Sequence, residues 1–343
     1  MRQIWIPRAG PPEVLELREA PDPEPGPGEV RIRVEASGIN FADLTARMGM
    51  YPDMPPIPCV VGYEVAGEVD ALGEGASNFE PGDRVVALTR FGGYADVVCV
   101  PQAQVVPIPA GISTSIAACV PVNYLTAYLM LIELGNVQPY HTVLVHAAGG
   151  GVGQAALQLC KWRGATVIGT ASPGKHERLR EAGVDHCIDY RSQDFEVEVM
   201  RITDDLGVDI VLDAVGGESF RKSYNCLRHC GRLFMFGASS MAPDNKRRWW
   251  PILREFIKLP KFKPLELLDL NRGVFGVNLG HLWHEIERLE RIFGEVMKLV
   301  GDGTLAPVLD QTFPFEQAGQ AHAYIQDRKN FGKVVLTTTT QVS

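Results

Sequence analysis

The sequence predicts an α/β protein: a doubly wound parallel sheet joined to a smaller β-rich part. Three observations carry that prediction. The apolar run Thr142-Val143-Leu144-Val145 feeds the glycine-rich stretch His146-Ala147-Ala148-Gly149-Gly150-Gly151-Val152-Gly153 and then an apolar-periodic segment. From about Pro121 onward, short apolar strands alternate with helical segments, the pattern of a parallel sheet covered by helices. The first third instead shows strand-sized pieces separated by proline and glycine turns, which suits a compact barrel or sandwich.

The elements follow in chain order. Pro21 to Gly28 is a stiff turn segment, after which Val30, Ile32 and Val34 alternate with Arg31, Arg33 and Glu35, as in a half-exposed strand. Turns at Gly73-Glu74-Gly75 and Pro81-Gly82-Asp83 follow, the second feeding a strand over Arg84 to Leu88. The parallel strands are expected at Val143 to His146, Val167 to Thr170, Cys187-Ile188, Asp209 to Leu212, Leu233 to Phe236 and Val274 to Val277. Between them, Val152, Ala155, Ala156, Leu159 and Cys160 recur at helical spacing, as do Phe195, Val199 and Ile202. Ile286 to Val300 reads as one amphipathic helix, and Phe331 to Leu336 returns to strand character.

The glycine-rich stretch has the spacing Ala148-x-Gly150-x-x-Gly153, a dinucleotide fingerprint with alanine in its first position. Glycine lets the backbone approach phosphates, and the following helix turns its free N–H groups and positive end toward them. The nucleotide can be read further along. An NAD enzyme carries an acid near the end of the second strand for the ribose 2′-hydroxyl. Here Thr170 is followed by Ala171-Ser172-Pro173-Gly174-Lys175-His176, with no acid before Glu177. Ser172 can donate to a 2′-phosphate and Lys175 can neutralise it, so NADPH is expected; the plainer account of Lys175 is a solvated helix start.

Composition narrows the classes. The 343 residues, 45% hydrophobic and 22% charged, suit a globular protein of two domains. A net charge of −8 argues against a nucleic-acid partner, which needs a dominant basic surface. The N-terminus offers no apolar stretch of signal or membrane-spanning length. Seven scattered cysteines, with only Cys226 and Cys230 close together, suggest a reduced, cytoplasmic protein without a zinc site. The segment 244–263 interleaves Lys246, Arg247, Arg248, Arg254, Lys258, Lys261 and Lys263 with Trp249, Trp250, Ile252, Leu253, Phe256 and Ile257. Such a stretch suits weak contact with an anionic membrane surface or a lid over a cleft; an ordinary helix packed on the sheet has the same pattern.

Taken together, these motifs identify the chain as similar to the medium-chain dehydrogenase/reductase superfamily, quinone oxidoreductase branch. The resemblance rests on Ala36-Ser37-Gly38-Ile39-Asn40-Phe41-Ala42-Asp43, Gly62-Tyr63-Glu64, Pro81-Gly82-Asp83-Arg84-Val85, His146 to Gly153, Asp213-Ala214-Val215-Gly216-Gly217 and Gly332-Lys333-Val334-Val335. Val122 to Tyr128, Tyr224 to Leu227 and Asn271 to Gly280 further resemble the synaptic-vesicle amine-transport-protein homologues. The family implies a GroES-like catalytic domain over residues 1–122 and 286–343, split around a Rossmann domain over 123–285. The active site would lie in the cleft between them, and a homodimer would form through the strand Val274 to Val277.

The resemblance also assigns roles. Thr126, Gly150, Gly151 and Val152 would meet the phosphates, and Ser172, Lys175 and Tyr190 the 2′-phosphate and adenine ribose. Phe236, Gly237, Phe275 and Asn278 would line the nicotinamide, with Asn330 and Lys333 closing from the C-terminal segment; core packing alone also accounts for Phe236 and Phe275. Asn40 would lie beside the nicotinamide ribose or substrate carbonyl. Tyr51 and Tyr63 are candidate hydrogen-bond or proton donors, with a packed wall and protonation by solvent as the alternative. Zinc alcohol dehydrogenases of the superfamily hold their metal with cysteine and histidine where this chain has Asn40 and Tyr63, so no metal is expected. Without a Lewis acid, the surviving chemistry is hydride delivery to a quinone or an α,β-unsaturated carbonyl. The competing expectation is a membrane-surface or lipid-handling vesicle-type protein that retains a reductase fold.

Overall fold

The computed structural model describes residues 1–241 and 258–338. The chain forms two compact units, one from Met1–Leu125 and 279–338, the other from 126–241 and 258–278. The first unit opens with β1 (Arg2–Ile6), β2 (Glu16–Glu19), β3 (Glu29–Gly38), β4 (Cys59–Val60), β5 (Glu64–Leu72), β6 (Arg84–Leu88), β7 (Val97–Pro101) and β8 (Val105–Pro107). The second contributes β9 (Thr142–Val145), β10 (Thr166–Ala171), β11 (His186–Asp189), β12 (Val208–Asp213), β13 (Leu227–Met235) and β14 (Gly273–Gly276). The chain then returns to the first unit with β15 (Leu309–Pro314) and β16 (Lys333–Thr337).

In the first unit, β3 is the organising strand. Val30, Ile32, Val34 and Ala36 point inward while Arg33 and Glu35 stay in water, the period-2 alternation its sequence shows. Val30, Ile32 and Val34 pack with Val65, Val69, Val85, Ala87, Val98 and Val100, and each Val or Ile fully buried contributes about 1.5–3 kcal/mol. The main sheet runs β15-β16-β3-β5-β6-β8, with β7 also on β3, beside a smaller sheet β2-β1-β4. Antiparallel pairing of β16 with β3 sets Val335 against Gly38, and Ile39 N–H donates to the Val334 carbonyl at 3.0 Å. The end of the chain is thereby stitched to its first long strand. The helix Ile286–Gly301 buries Leu289, Ile292, Phe293, Val296, Met297 and Val300, the single apolar face its spacing predicts.

The second unit is a parallel sheet in the order β11-β10-β9-β12-β13-β14. Its strands read as short apolar runs because helices cover both faces. Leu144, Ile168, Ile188, Val211 and Leu233 share one core with Val199 and Tyr224. The helix Gly151–Trp162 packs through Ala155, Ala156, Leu159 and Cys160, and the small Ala155 and Ala156 admit close approach. Strand order reverses between β9 and β12, the topological switch point where such sheets bind ligands.

All six expected parallel strands form, with shifted ends. β13 begins as early as Leu227 and stops at Met235, leaving Phe236 just beyond it, and β14 covers Gly273–Gly276, one residue ahead of its expected start. The units divide between Leu125 and Thr126 and between Asn278 and Leu279. The apolar helical run Thr114–Leu134 is long enough to cross a membrane but is mostly buried inside the protein, as a core helix is. Of the basic segment 244–263, residues 244–257 lie outside the described residues. In the remainder, the Phe262 ring packs on Tyr224 at 5.2 Å and Lys258 pairs with Glu218 at 3.5 Å.

Candidate functional site

The second unit presents the glycine-rich turn at the carboxyl end of β9. Ala147 adopts φ +52, Gly150 N–H donates to the Ala147 carbonyl at 2.8 Å, and Gln154 N–H donates to Gly150 at 2.9 Å. Gly150 caps the helix Gly151–Trp162 without a side-chain bond. The first-turn N–H groups of Gly151, Val152 and Gly153 therefore lack an intrahelical partner, and the helix's positive end supports an anion there. Gly153 is required for packing: a Cβ would lie 2.5 Å from the Ala147 oxygen and 2.7 Å from Ala148 Cα.

Next along this edge, pairing of Ala171 with Asp189 sets Ser172 and Tyr190 at neighbouring strand ends. Ser172 leads into the turn Pro173–Lys175. Tyr190 is exposed, and the Arg191 guanidinium lies 6.0 Å from its ring. The sequence reading passed over Asp189, an acid in this row. Its carboxylate is occupied by Ser192 Oγ at 2.6 Å and Arg191 N–H at 3.0 Å. The Ser192 hydroxyl, followed by that N–H, holds its pKa below the ordinary value.

Other expected coenzyme residues are dispersed within this unit. Thr126 is buried. Phe236 N–H donates to the Asp213 carbonyl at 3.1 Å, and Gly237 packs tightly on Ala214. Phe275 stacks on Phe234 with centroids 5.1 Å apart while remaining exposed, and Asn278 is exposed beyond β14.

In the first unit, Asn40, Glu64 and Lys333 form a buried polar cluster. The β16–β3 register brings Lys333 opposite Asn40, and its ammonium donates to Asn40 Oδ1 at 2.6 Å while forming an ion pair with Glu64 Oε1. Asn40 Nδ2 donates to Glu64 Oε1 at 2.8 Å, and Val122 N–H donates to Glu64 Oε2 at 2.7 Å. Glu64 is fully buried and Lys333 is 3% exposed. Gly38 makes room for the carboxylate; a Cβ there would also come within 2.7 Å of the Ala118 oxygen. Asn330 bonds to the Gly332 carbonyl at 2.9 Å. Glu64 appears in the sequence motif Gly62-Tyr63-Glu64, but no local signal says that its partner is Lys333, at the far end of the chain.

Tyr63 is 7% exposed, with Tyr51 6.2 Å and Phe91 5.1 Å away between ring centroids. Burial first, and Tyr51 second, push its hydroxyl pKa far above the ordinary value. Its O–H stays protonated and can act only as a neutral donor or acceptor.

Behind Asn40 lies a second network that sequence reading missed. Asp43 accepts from Asn40 N–H at 2.8 Å, Gly62 N–H at 3.1 Å and the Tyr94 hydroxyl at 3.1 Å. With the Tyr94 proton committed to Asp43, His322 Nε2 donates to Tyr94 at 3.0 Å. Burial keeps His322 well below its ordinary pKa, hence neutral. Burial also outweighs the Asn40 N–H, the Lys333 charge and the Tyr94 hydroxyl, and raises Asp43 from 3.8 to about 7. The folded chain therefore holds this proton more tightly than the unfolded chain. The stability it contributes is present below the unfolded value and is lost as pH rises through about 7. Asp43→Asn is expected to flatten that fall. Urea unfolding of both proteins from about pH 5 to 8 checks it, and parallel slopes would exclude Asp43 as the source.

Residues 26–110 match the alcohol dehydrogenase GroES-like domain family, and residues 182–336 match the zinc-binding dehydrogenase family. The human synaptic vesicle membrane protein VAT-1 homolog is 43% identical over 94% of this chain and 82% of its own length. The crystal structure of the human VAT-1 homolog-like protein superposes with a TM-score of 0.86, at 35% identity and 99% coverage of both chains. The Escherichia coli quinone oxidoreductase complexed with NADPH gives a TM-score of 0.86 at 30% identity, covering 98% of this chain and 100% of that one.

The second family's description names zinc, but the residues here do not suit that ion. Asn40 and Tyr63 replace thiolate and imidazole. Both ends of the Asn40 amide are already engaged, and the Lys333 ammonium among them opposes a cation. Among the described residues, no group of three or more His, Cys, Asp or Glu side chains could hold a metal ion.

Proposed function

We propose a function from the premise that this chain belongs to the medium-chain dehydrogenase/reductase superfamily: it is an oxidoreductase that uses NADPH to reduce a quinone or an α,β-unsaturated carbonyl compound, without zinc. The observation that carries the coenzyme choice is the row of Ser172, Lys175 and Tyr190 beside the glycine turn, with no acid ending β10. An NADPH complex of a structural relative supports it. When bound, NADPH supplies a hydride.

The chain's own residues would bind and orient. The N–H groups of Gly151, Val152 and Gly153, with Thr126, hold the pyrophosphate, and Ser172, Lys175 and Tyr190 hold the 2′-phosphate. Phe236, Gly237, Phe275, Asn278 and Asn330 serve the nicotinamide end. Asn40 and Lys333 bias an acceptor oxygen toward negative charge, and the protonated Tyr63 hydroxyl can donate to it, with Tyr51 beside it. Because Lys333 is already paired with Glu64, its polarising power is partly spent. That favours acceptors that are electron-poor before they bind. The outer edge of β14, which pairs only with β13 among the described residues, suits addition of the same strand from a second copy, giving a homodimer.

The test is NADPH consumption across a panel of quinones and enones, together with Lys175→Ala. A charge-assisted contact is worth about 1.5–3 kcal/mol. The variant should therefore raise KM for NADPH roughly tenfold to a hundredfold and leave KM for NADH unchanged. Tight NADPH binding without turnover on any acceptor would overturn the reductase reading, and a preference for NADH would overturn the coenzyme assignment.

A further inference from the structure

Three strand ends lie side by side at the switch point. Val145 of β9 pairs with Gly169 of β10 and with Leu212 of β12, so the next residues, His146, Thr170 and Asp213, form one row. All three are buried, as is Ser223 on the helix Glu218–Asn225. The His146 ring bridges the row, with Nδ1 3.1 Å from Thr170 Oγ1 and Nε2 3.0 Å from Ser223 Oγ. Asp213 Oδ2 accepts from Ser223 Oγ and from Ser219 Oγ, both at 2.7 Å. Its Oδ1 accepts from Val215 N–H at 2.7 Å and Gly216 N–H at 3.3 Å.

These partners leave one consistent set of proton positions. The Asp213 carboxylate has only acceptors to offer, so Ser223 spends its one proton on it. Ser223 Oγ then accepts from His146, which places the ring proton on Nε2. Burial holds the imidazole below its ordinary pKa, against the pull of Asp213, so the ring is neutral and Nδ1 is bare. Thr170 must therefore donate to Nδ1, which frees its oxygen to accept from Ala147 N–H at 3.3 Å. Ala147 is the residue held at φ +52, a conformation that is costly without glycine. Ala148 N–H also donates to the Thr170 carbonyl at 3.1 Å.

We propose that His146 is a positioning residue for the coenzyme cradle. In its neutral Nε2–H form it passes one directed chain of hydrogen bonds from the Asp213 carboxylate, through Ser223 and Thr170, to the Ala147 N–H. One buried chain thus braces two glycine turns, 147–153 and 213–217, on either side of the switch point. It orients the N–H groups that meet the pyrophosphate and has no part in choosing between the two nucleotides. This inference rests on the reading of the cradle as an NADPH site.

The experiment pairs two readouts. Thr170→Val keeps the side-chain shape but removes the hydroxyl, and Thr170→Ser keeps the hydroxyl. By calorimetric titration, Thr170→Val should weaken NADPH and NADH by the same factor, roughly tenfold, while Thr170→Ser stays within about twofold of the parent. Lys175→Ala, by contrast, changes NADPH alone. Long-range proton–nitrogen NMR of the parent protein, with His146 assigned by its loss in His146→Phe, should show a neutral Nε2–H ring. This second readout does not depend on how well a variant folds. Unchanged affinities in Thr170→Val, failure of Thr170→Ser to restore binding, or an imidazolium or Nδ1–H ring would each overturn the chain of bonds. Absence of NADPH and NADH binding by the parent would instead overturn the coenzyme reading on which it rests.

Discussion

Lys333→Met is expected to lower the unfolding free energy by about 3–5 kcal/mol, the cost of leaving a buried charge without its partner. Glu64 is fully buried, and without the ammonium its side chain keeps, among the described residues, the Asn40 amide and the Val122 N–H. Those dipoles cannot replace a full charge in a site closed to water. The double variant Lys333→Met/Glu64→Gln should recover most of the loss, because neither charge then needs compensation and the amide can still bond to Asn40 or Val122. Denaturant unfolding of the parent, both single variants and the double variant measures the coupling directly. If the two single losses simply add in the double variant, the pair is not coupled and the cluster is not held together by its charges.

Gly153→Val carries the second large effect. A Cβ at this position would already fall 2.5 Å from the Ala147 oxygen and 2.7 Å from the Ala148 Cα and oxygen, all backbone atoms that cannot swing aside. Valine adds two methyl groups to that clash, so the helix Gly151–Trp162 must move off the turn. Overpacking of this kind costs about 1–3 kcal/mol. Displacing the first-turn N–H groups should weaken NADPH roughly tenfold to a hundredfold. Titration below the melting temperature checks this. Parent-like affinity in a folded Gly153→Val would show that the glycine turn does not hold the pyrophosphate.

The parallel sheet was legible because its signals are local. Each strand is a short apolar run, each covering helix repeats its small or apolar residues at helical spacing, and a glycine turn joins the first pair. Strand ends were less legible: β13 reaches back to Leu227 because Leu227 pairs with Val208 of β12, and a register irregularity then carries the chain past Arg228 and His229, which have no apolar pattern of their own, until pairing resumes at Arg232. The places of Ser172, Lys175 and Tyr190 were legible because each follows a readable strand end; the roles proposed for them come from the missing acid and from the resemblance. Asp189 sits among them and was passed over, since only the turn to Ser192 shows where its carboxylate is spent.

Amino-acid order alone determined the alternation of strands and helices, the glycine turn and the missing acid after β10. Tertiary structure decided what the buried polar groups do. The register of β16 on β3 puts Lys333 against Asn40 and Glu64, and the register of β9 with β10 and β12 lines up His146, Thr170 and Asp213. Hydrophobic period and turn chemistry act over a few residues and are written in sequence. Buried charges and directed hydrogen bonds depend instead on which distant strands meet, and at what offset.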